Sequence, residues 1–235
     1  MKLNDMKGLF KSNKIKLVAK HAVDADTYLF SFAFPPHLNW LAGQHGLFQF
    51  RKEKLNGGNL RPFSIASIQT ENIIQIATTI GTNPSDFKAR LKAMEIGDDM
   101  YLRGPFGSFY ISDETKPIIL IAGGIGITPM RALIQEIDRK KINANVYLLY
   151  INRNGNYTFQ EELTAFEASN PNIKISFLRD RTHLDDILAG LLNQYHNAAT
   201  YFISGSPSMV KQLKAKIKES GINRKNIIHD SFRGL

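Results

Sequence analysis

The chain has 235 residues, 43% hydrophobic and 22% charged, the balance of an ordinary globular protein and enough for two small domains of about 100–150 residues each. It contains no cysteine, which excludes disulfides, a catalytic thiol and a cysteine-ligated iron–sulfur cluster within these residues. The net charge of +9 suits a solvated basic surface, or attraction toward an acidic partner or anionic cofactor; without a dense basic run interleaved with aromatics, nucleic acid is not expected. No apolar run approaches 18 residues, so no transmembrane helix is expected, and the N-terminal Met1–Lys7 lacks a signal-peptide core, which gives a cytoplasmic expectation.

The first half reads as β-rich. Strands are predicted over 14–18 and 27–34, separated by the turn-like Asp24-Ala25-Asp26, and then over 43–50. A polar loop over 52–59 carries Gly57-Gly58. Further strands are predicted over 63–68, 73–79 and 100–103. A single helix is marked by Phe87, Leu91 and Met94 at helical spacing, with Ser85 or Asp86 as its N-terminal cap. Six short strands with one helix predict an antiparallel β-barrel.

From about residue 114 the pattern changes to strands alternating with helices. Buried strands are predicted over 117–122, 146–151, 173–178 and 200–204. Helices are predicted over 130–138, 159–168, 184–192 and 208–220, and Ile227-Ile228 precedes a short tail. This alternation predicts a doubly wound α/β domain with a parallel sheet. The expected division is therefore a barrel over 1–113 followed by an α/β domain over 114–235.

The sharpest local motif runs from Ile121 to Met130, where an apolar strand enters a glycine-rich turn and then a helix. Glycines let backbone approach a pyrophosphate, and a helix N-terminus presents free N–H groups and a positive dipole end. Thr128 suits the N-cap and Pro129 the first turn. The third glycine of the common dinucleotide fingerprint is absent. In the first half, Arg61-Pro62-Phe63-Ser64 offers a phosphate clamp, an aromatic surface and a hydroxyl, although the tetrapeptide alone reads more simply as an arginine capping a strand.

Taken in order, Arg61-Pro62-Phe63-Ser64, Gly104-Pro105-Phe106-Gly107, Gly123 to Pro129, Ser204-Gly205-Ser206-Pro207 and Phe232-Arg233-Gly234 resemble the ferredoxin–NADP reductase superfamily over nearly the whole chain. The resemblance implies a flavin-binding barrel, a nucleotide-binding α/β domain, and hydride transfer from NAD(P)H to FAD. Electrons would then leave to a ferredoxin, a flavodoxin or a membrane redox subunit.

The resemblance also implies residue roles. Arg61 and Pro62 would lie at the flavin, Arg61 on a phosphate. Phe63, where the family usually has tyrosine, would cover the isoalloxazine, and Ser64 would lie near its hydride-accepting nitrogen. Thr78, Thr79, Ile80, Ser85, Phe87 and Lys88 would line the pyrophosphate region, which favours FAD over FMN; Ser85 alone also reads as a plain helix cap. Gly124, Gly126, Thr128 and Pro129 would hold the dinucleotide, with Ser206 opening the next helix. Ser204 stands where many relatives have a cysteine beside the nicotinamide. Asp230 falls near an acidic residue close to the flavin, or is a solvated carboxylate. Ser64, Ser204 and Asp230 are the catalytic candidates.

The chain ends in Leu235 where relatives often have a stacking aromatic, and Phe232 lies three residues earlier. The acidic residue expected about 20 positions after the glycine turn is missing. Arg153, Arg179 and Arg181 favour NADPH over NADH, although the partnering serine is absent and Asp180 separates two of the arginines. The six histidines show no ligand spacing, so no metal is expected. Lys211, Lys214, Lys216 and Lys218 read as the solvated side of a helix. Two other functions stay open: an NAD(P)H:flavin reductase using free flavin as substrate, and a non-catalytic electron-relay subunit.

Overall fold

The computed structural model describes residues 11–51 and 53–232. They form two compact units that divide between Tyr110 and Ile111. The expectations placed on Met1–Lys7 and on Arg233, Gly234 and Leu235 lie outside the described residues.

The first unit is a curled antiparallel sheet of six strands. Its elements in chain order are β1 (Ser12–Ala22), β2 (Thr27–Ala33), β3 (His45–Gln49), β4 (Leu60–Ser64), β5 (Ile74–Thr79), the helix α1 (Asp86–Lys92) and β6 (Asp99–Phe106). The spatial order is β4-β3-β6-β1-β2-β5. The sheet curls because its two end strands approach each other: the Ala66 N–H donates to the Gln75 carbonyl at 2.7 Å. Alternate residues of β1, Asn13, Ile15 and Leu17, point inward, as strand periodicity requires. They meet Phe30, Phe32, Phe48, Phe50 and Phe63 from neighbouring strands, and Phe87 and Leu91 of α1 plug the interior.

Two predicted boundaries move. The strand expected over 63–68 ends at Ser64, and a short 3-10 turn follows at Gln69–Glu71. Beyond Ser64 the backbone no longer follows the β3 ladder: Ile65 N–H donates to the Gln44 carbonyl, and Ala66 turns to β5. β1 runs well past Val18 because pairing with β2 from Lys16 to Ala22 carries its polar end.

The second unit is a five-stranded parallel sheet between helices. Its elements are β7 (Ile118–Gly123), α2 (Ile127–Lys140), β8 (Val146–Ile151), α3 (Gln160–Ser169), β9 (Ile173–Leu178), α4 (Arg181–Tyr195), β10 (Thr200–Gly205), α5 (Pro207–Glu219) and β11 (Ile227–Ser231). The order is β11-β10-β7-β8-β9, all parallel. β7 lies near the middle, and Ile118 to Ala122 are all fully buried, which is why they read as one apolar run. The segment expected as a tail after Ile227-Ile228 continues instead as β11 to Ser231, because residues 227–231 pair in register with β10. No helix among the described residues is long and apolar enough to cross a membrane.

Candidate functional site

In the second unit the chain order reverses between β7 and β10. Open α/β sheets bind ligands outside the carboxyl ends of strands at such a switch point. The glycine motif at the end of β7 and the Ser204-Gly205-Ser206-Pro207 motif at the end of β10 meet there. Gly124–Gly126 forms a 3-10 turn that leads into α2. A Cβ on Gly126 would lie 2.4 Å from the Ser204 carbonyl oxygen and 2.7 Å from the Gly205 nitrogen, so only glycine fits. Gly123 and Gly205 also lie close together, with a Cβ on Gly205 falling 3.4 Å from the Gly123 Cα. The crevice is thus built from backbone.

Ser204 is fully buried at this point, and its hydroxyl has no hydrogen-bond partner. Asp230 is its register partner on β11, and the Phe232 N–H donates to the Gly205 carbonyl at 2.9 Å. Ser204, Ser206, Asp230 and Phe232 are therefore brought to one end of the sheet beside Gly124 and Gly126. Ser206 caps α5, its hydroxyl accepting from the Met209 N–H at 3.4 Å.

Thr128 requires correction. It is not the N-cap: α2 starts at Ile127, and the Thr128 hydroxyl donates to the Ile125 carbonyl at 2.7 Å. The tight Gly124–Gly126 turn already has near-helical backbone at Gly126, which moves the helix start forward. Thr128 and Pro129 are buried in the first turn of α2.

The three arginines gather at the ends of β8 and β9 but differ in their surroundings. Arg153 is exposed on the loop after β8. Arg179 is exposed and packs against Gly155, whereas Arg181 pairs with Asp185 at 3.4 Å. Asp180 caps α4, accepting from the His183 backbone N–H at 3.0 Å and facing the His183 ring at 2.6 Å. The backbone donor first, and then the ring, hold the Asp180 carboxyl below its usual range, and Asp180 in turn raises the His183 imidazole.

In the first unit, Arg61 is the centre of a small cation cluster. Its Nη atoms donate to the carbonyls of Gly57 (2.8 Å), Gly58 (3.3 Å) and Leu60 (2.9 Å), while its buried Nε has no partner. Its guanidinium lies 5.6 Å above the Phe87 ring. Lys88 is half-buried, and its ammonium is pushed below the usual lysine range, first by burial and then by Arg61. Among the described residues no carboxylate pairs with Lys88. Ser85 stands at the N-cap of α1 in extended conformation, but its buried hydroxyl makes no cap bond and has no partner. Two adjacent cations, an orphaned guanidinium N–H and an orphaned hydroxyl fit a phosphate group.

Other residues of this region lie elsewhere. Phe87 is fully enclosed in the barrel core and cannot touch a ligand from there; the same helical spacing that marked α1 marked its buried face. Phe63 is 9% exposed and packs edge-on against Phe48, with ring centroids 5.6 Å apart, and beside Phe87. The ring expected over the isoalloxazine is thus chiefly part of the core, because its strand face is the inward one. Pro62 points outward and Ser64 is buried. Thr78 and Ile80 are buried, and Thr79 is exposed at the end of β5.

Sequence reasoning missed Gly155 and the Arg131–Glu162 pair. Gly155 reads as an ordinary loop glycine in a polar stretch. Arg131, 6% exposed on α2, forms two parallel bonds to Glu162 of α3 at 2.9 and 2.6 Å, and nothing in the sequence links residues 31 positions apart.

A curled antiparallel sheet followed by a parallel α/β unit with a glycine-built switch point defines a two-domain nucleotide-binding fold. Residues 120–214 match the family described as oxidoreductase NAD-binding domain. The second unit is accordingly similar, over most of its length, to an oxidoreductase NAD-binding domain.

The ferredoxin–NADP+ reductase of Plasmodium falciparum shares the fold at a TM-score of 0.79 and 20% identity, covering 93% of this chain and 95% of that one. A flavohemoglobin from Malassezia yamatoensis, solved with FAD and heme, aligns at a TM-score of 0.75 and 18% identity, covering 94% and 60%. Among curated sequences, the toluate 1,2-dioxygenase electron transfer component of Pseudomonas putida is 26% identical over 182 residues, 73% of this chain and 54% of that protein. One subunit of the Na(+)-translocating NADH-quinone reductase of Pseudomonas aeruginosa is 26% identical over 167 residues, 64% of this chain and 41% of the relative. The chain spans about half the length of these curated relatives.

Proposed function

We propose that the protein is an NAD(P)H-dependent flavoprotein reductase that passes electrons to a separate redox protein. The observation that carries this reading is the pairing, in one chain, of an NAD-binding domain with a cation cradle in which Arg61 Nε and the Ser85 hydroxyl lack partners. Arg61, Lys88 and Ser85 would hold the phosphates of FAD, with Pro62, Ser64, Thr78, Thr79 and Ile80 around it. When bound, FAD supplies a two-electron acceptor for hydride and a donor of single electrons. The chain's own part is binding and alignment. Gly124 and Gly126 let the dinucleotide approach backbone, the N-terminus of the 14-residue α2 favours its phosphates, and Ser204 and Ser206 offer hydroxyls at the β10 end.

NADPH is the preferred donor in this reading, because Arg153 and Arg179 supply cations that no carboxylate neutralises among the described residues. The acceptor is an acidic ferredoxin or flavodoxin, or a membrane redox subunit. The relatives' names, an electron transfer component and a quinone reductase subunit, support delivery to a partner. The excess of 30 Lys+Arg over 21 Asp+Glu suits an acidic one.

A second reading, flavin as a released substrate, is favoured by one observation. With Phe63 turned into the core, β4 presents little aromatic surface to a flavin ring.

The test is a visible spectrum of the purified protein, followed by anaerobic addition of NADPH or NADH. Stoichiometric flavin bleached faster by NADPH is expected. Colourless protein that reduces added flavin would transfer the assignment to the second reading. Bound flavin that neither nucleotide bleaches would leave only an electron-relay subunit.

A further inference from the structure

We propose that Gly155 is a positioning residue for coenzyme choice: its missing side chain seats the Arg179 guanidinium where it takes the phosphate monoester on the ribose of NADPH. This rests on the NADPH reading above and assigns it to one turn.

A Cβ on Gly155 would lie 2.8 Å from Arg179 Nη2, 2.9 Å from Nε and 3.0 Å from Cζ. Near-equal distances to Nη2 and Nε, with Cζ slightly farther, mean that the Nε–Nη2 side of the guanidinium, rather than a single atom, lies against the turn. Gly155 also has φ +72°, a region that side chains other than Asn and Asp rarely adopt. No carboxylate pairs with Arg179 among the described residues, unlike Arg181, which is turned toward Asp185. Arg153 stands two residues before Gly155. A dianionic phosphate at this turn would meet two cations.

The turn is rigid. The Asn152 N–H donates to the Leu178 carbonyl at 2.9 Å, and the Gly155 N–H to the Asn152 carbonyl at 3.0 Å. Asn152 Nδ2 donates to the Asn156 carbonyl at 2.5 Å, and the Thr158 N–H to the Tyr150 hydroxyl at 3.2 Å. The Tyr157 ring packs edge-on against Tyr150 (5.2 Å between centroids) and at a tilt against Phe177 (4.9 Å). At the far end, Arg131 grips Glu162 and lies 5.4 Å over the Phe159 ring, fixing the start of α3.

Substitution at Gly155 displaces the end of a flexible side chain rather than backbone, so it moves Arg179 while leaving the sheet in place. The test is isothermal titration calorimetry of the flavin-loaded protein with NADP+ and, separately, NAD+. The variants are Gly155→Ala, Gly155→Asn, Arg179→Ala and the double variant Gly155→Ala/Arg179→Ala. Asn tolerates the left-handed region yet carries a Cβ, which guards against a folding artefact.

Each single variant is expected to weaken NADP+ binding about tenfold, the scale of one lost charge-assisted contact, with NAD+ changed less than about twofold. The double variant should match Arg179→Ala alone, since Gly155 acts only through that side chain. Equal weakening of both nucleotides in the Gly155 variants, or additive losses in the double variant, would overturn the positioning role. So would full NADP+ affinity in both Gly155 variants beside a damaged Arg179→Ala. An Arg179→Ala variant that binds NADP+ normally would sink the NADPH reading itself.

Discussion

The two candidate ligand sites are built from different materials. At the switch point of the second unit β7 and β10 come together at glycines: a Cβ on Gly126 would collide with main-chain atoms of Ser204 and Gly205, one on Gly123 with the Met209 side chain, and one on Gly205 would press within 3.4 Å of the Gly123 Cα. In the first unit the cradle is side chain: Arg61 lies over Phe87 and near enough to Lys88 to act on its charge, with carbonyls of the Gly57-Gly58 turn supporting the guanidinium. A site made of backbone tolerates almost no substitution but needs no particular side-chain chemistry. A site made of charged side chains can lose one member and still fold. Substitutions should therefore separate stability from binding in the first unit and fail to separate them in the second.

The largest expected effect lies at the boundary of this contrast. Phe63 belongs to the core, so Phe63→Ala should lower the stability of the protein by about 3–5 kcal/mol in denaturant unfolding, whether or not flavin is present. Phe63→Tyr, which adds one hydroxyl at the rim, should keep most of the stability. If Phe63→Ala unfolds at the same denaturant concentration but releases flavin, the ring faces the ligand and its assignment to the core is wrong.

Next comes Gly126→Ala. With the Ser204 carbonyl oxygen 2.4 Å from the new methyl, the two strand ends must part. A loss of about 3 kcal/mol in stability, together with loss of nucleotide binding in calorimetry, is expected. Gly124→Ala is the control: nothing lies within 4 Å of its Cβ, and only φ +52° opposes it, for about 1 kcal/mol. Equal damage from both would mean that close approach is not what selects glycine at Gly126.

The smallest effect on stability, and the clearest on binding, belongs to the cation cradle. Arg61→Ala should weaken flavin retention by about 2 kcal/mol, roughly thirtyfold, measured by fluorescence of released flavin. Lys88→Met should weaken it less while unfolding no more easily, because it removes a half-buried cation beside another.

The pH dependence has a definite sign. The Lys88 pKa is lowered on folding, so the stability tied to its neutral form is present above its ordinary value of 10.5 and is lost as pH falls through the depressed one. Flavin affinity runs the other way, falling as pH rises through that depressed value. Lys88→Met should flatten that fall, and an unchanged alkaline profile would remove Lys88 from the cradle.

Much of this was legible in the chain. The continuous apolar run over 118–122, the strands Val146–Ile151 and Ile173–Leu178, and the glycine turn at 123–126 announce themselves because burial on both faces and close backbone approach restrict residue type locally. Arg61 was legible only through the order of motifs around it, since its tetrapeptide alone reads as an arginine capping a strand. Element ends were less legible. Ile65 to Ile68 look as strand-like as Phe63, yet the strand stops at Ser64, since hydrogen-bond partners, not propensity, decide where a ladder ends.

The sequence alone determined the two-unit architecture, the glycine turn between β7 and α2 and the set of residue types available for chemistry. These depend on periodicity and on steric limits that act within a few residues. Only the tertiary structure decided which side chains face a ligand. It buried Phe63 and Phe87, moved Thr128 inside a helix, left the Ser204 and Ser85 hydroxyls without partners, and laid Arg179 on Gly155. Each of those outcomes depends on what a distant segment places in the same few ångströms, and no local pattern records that.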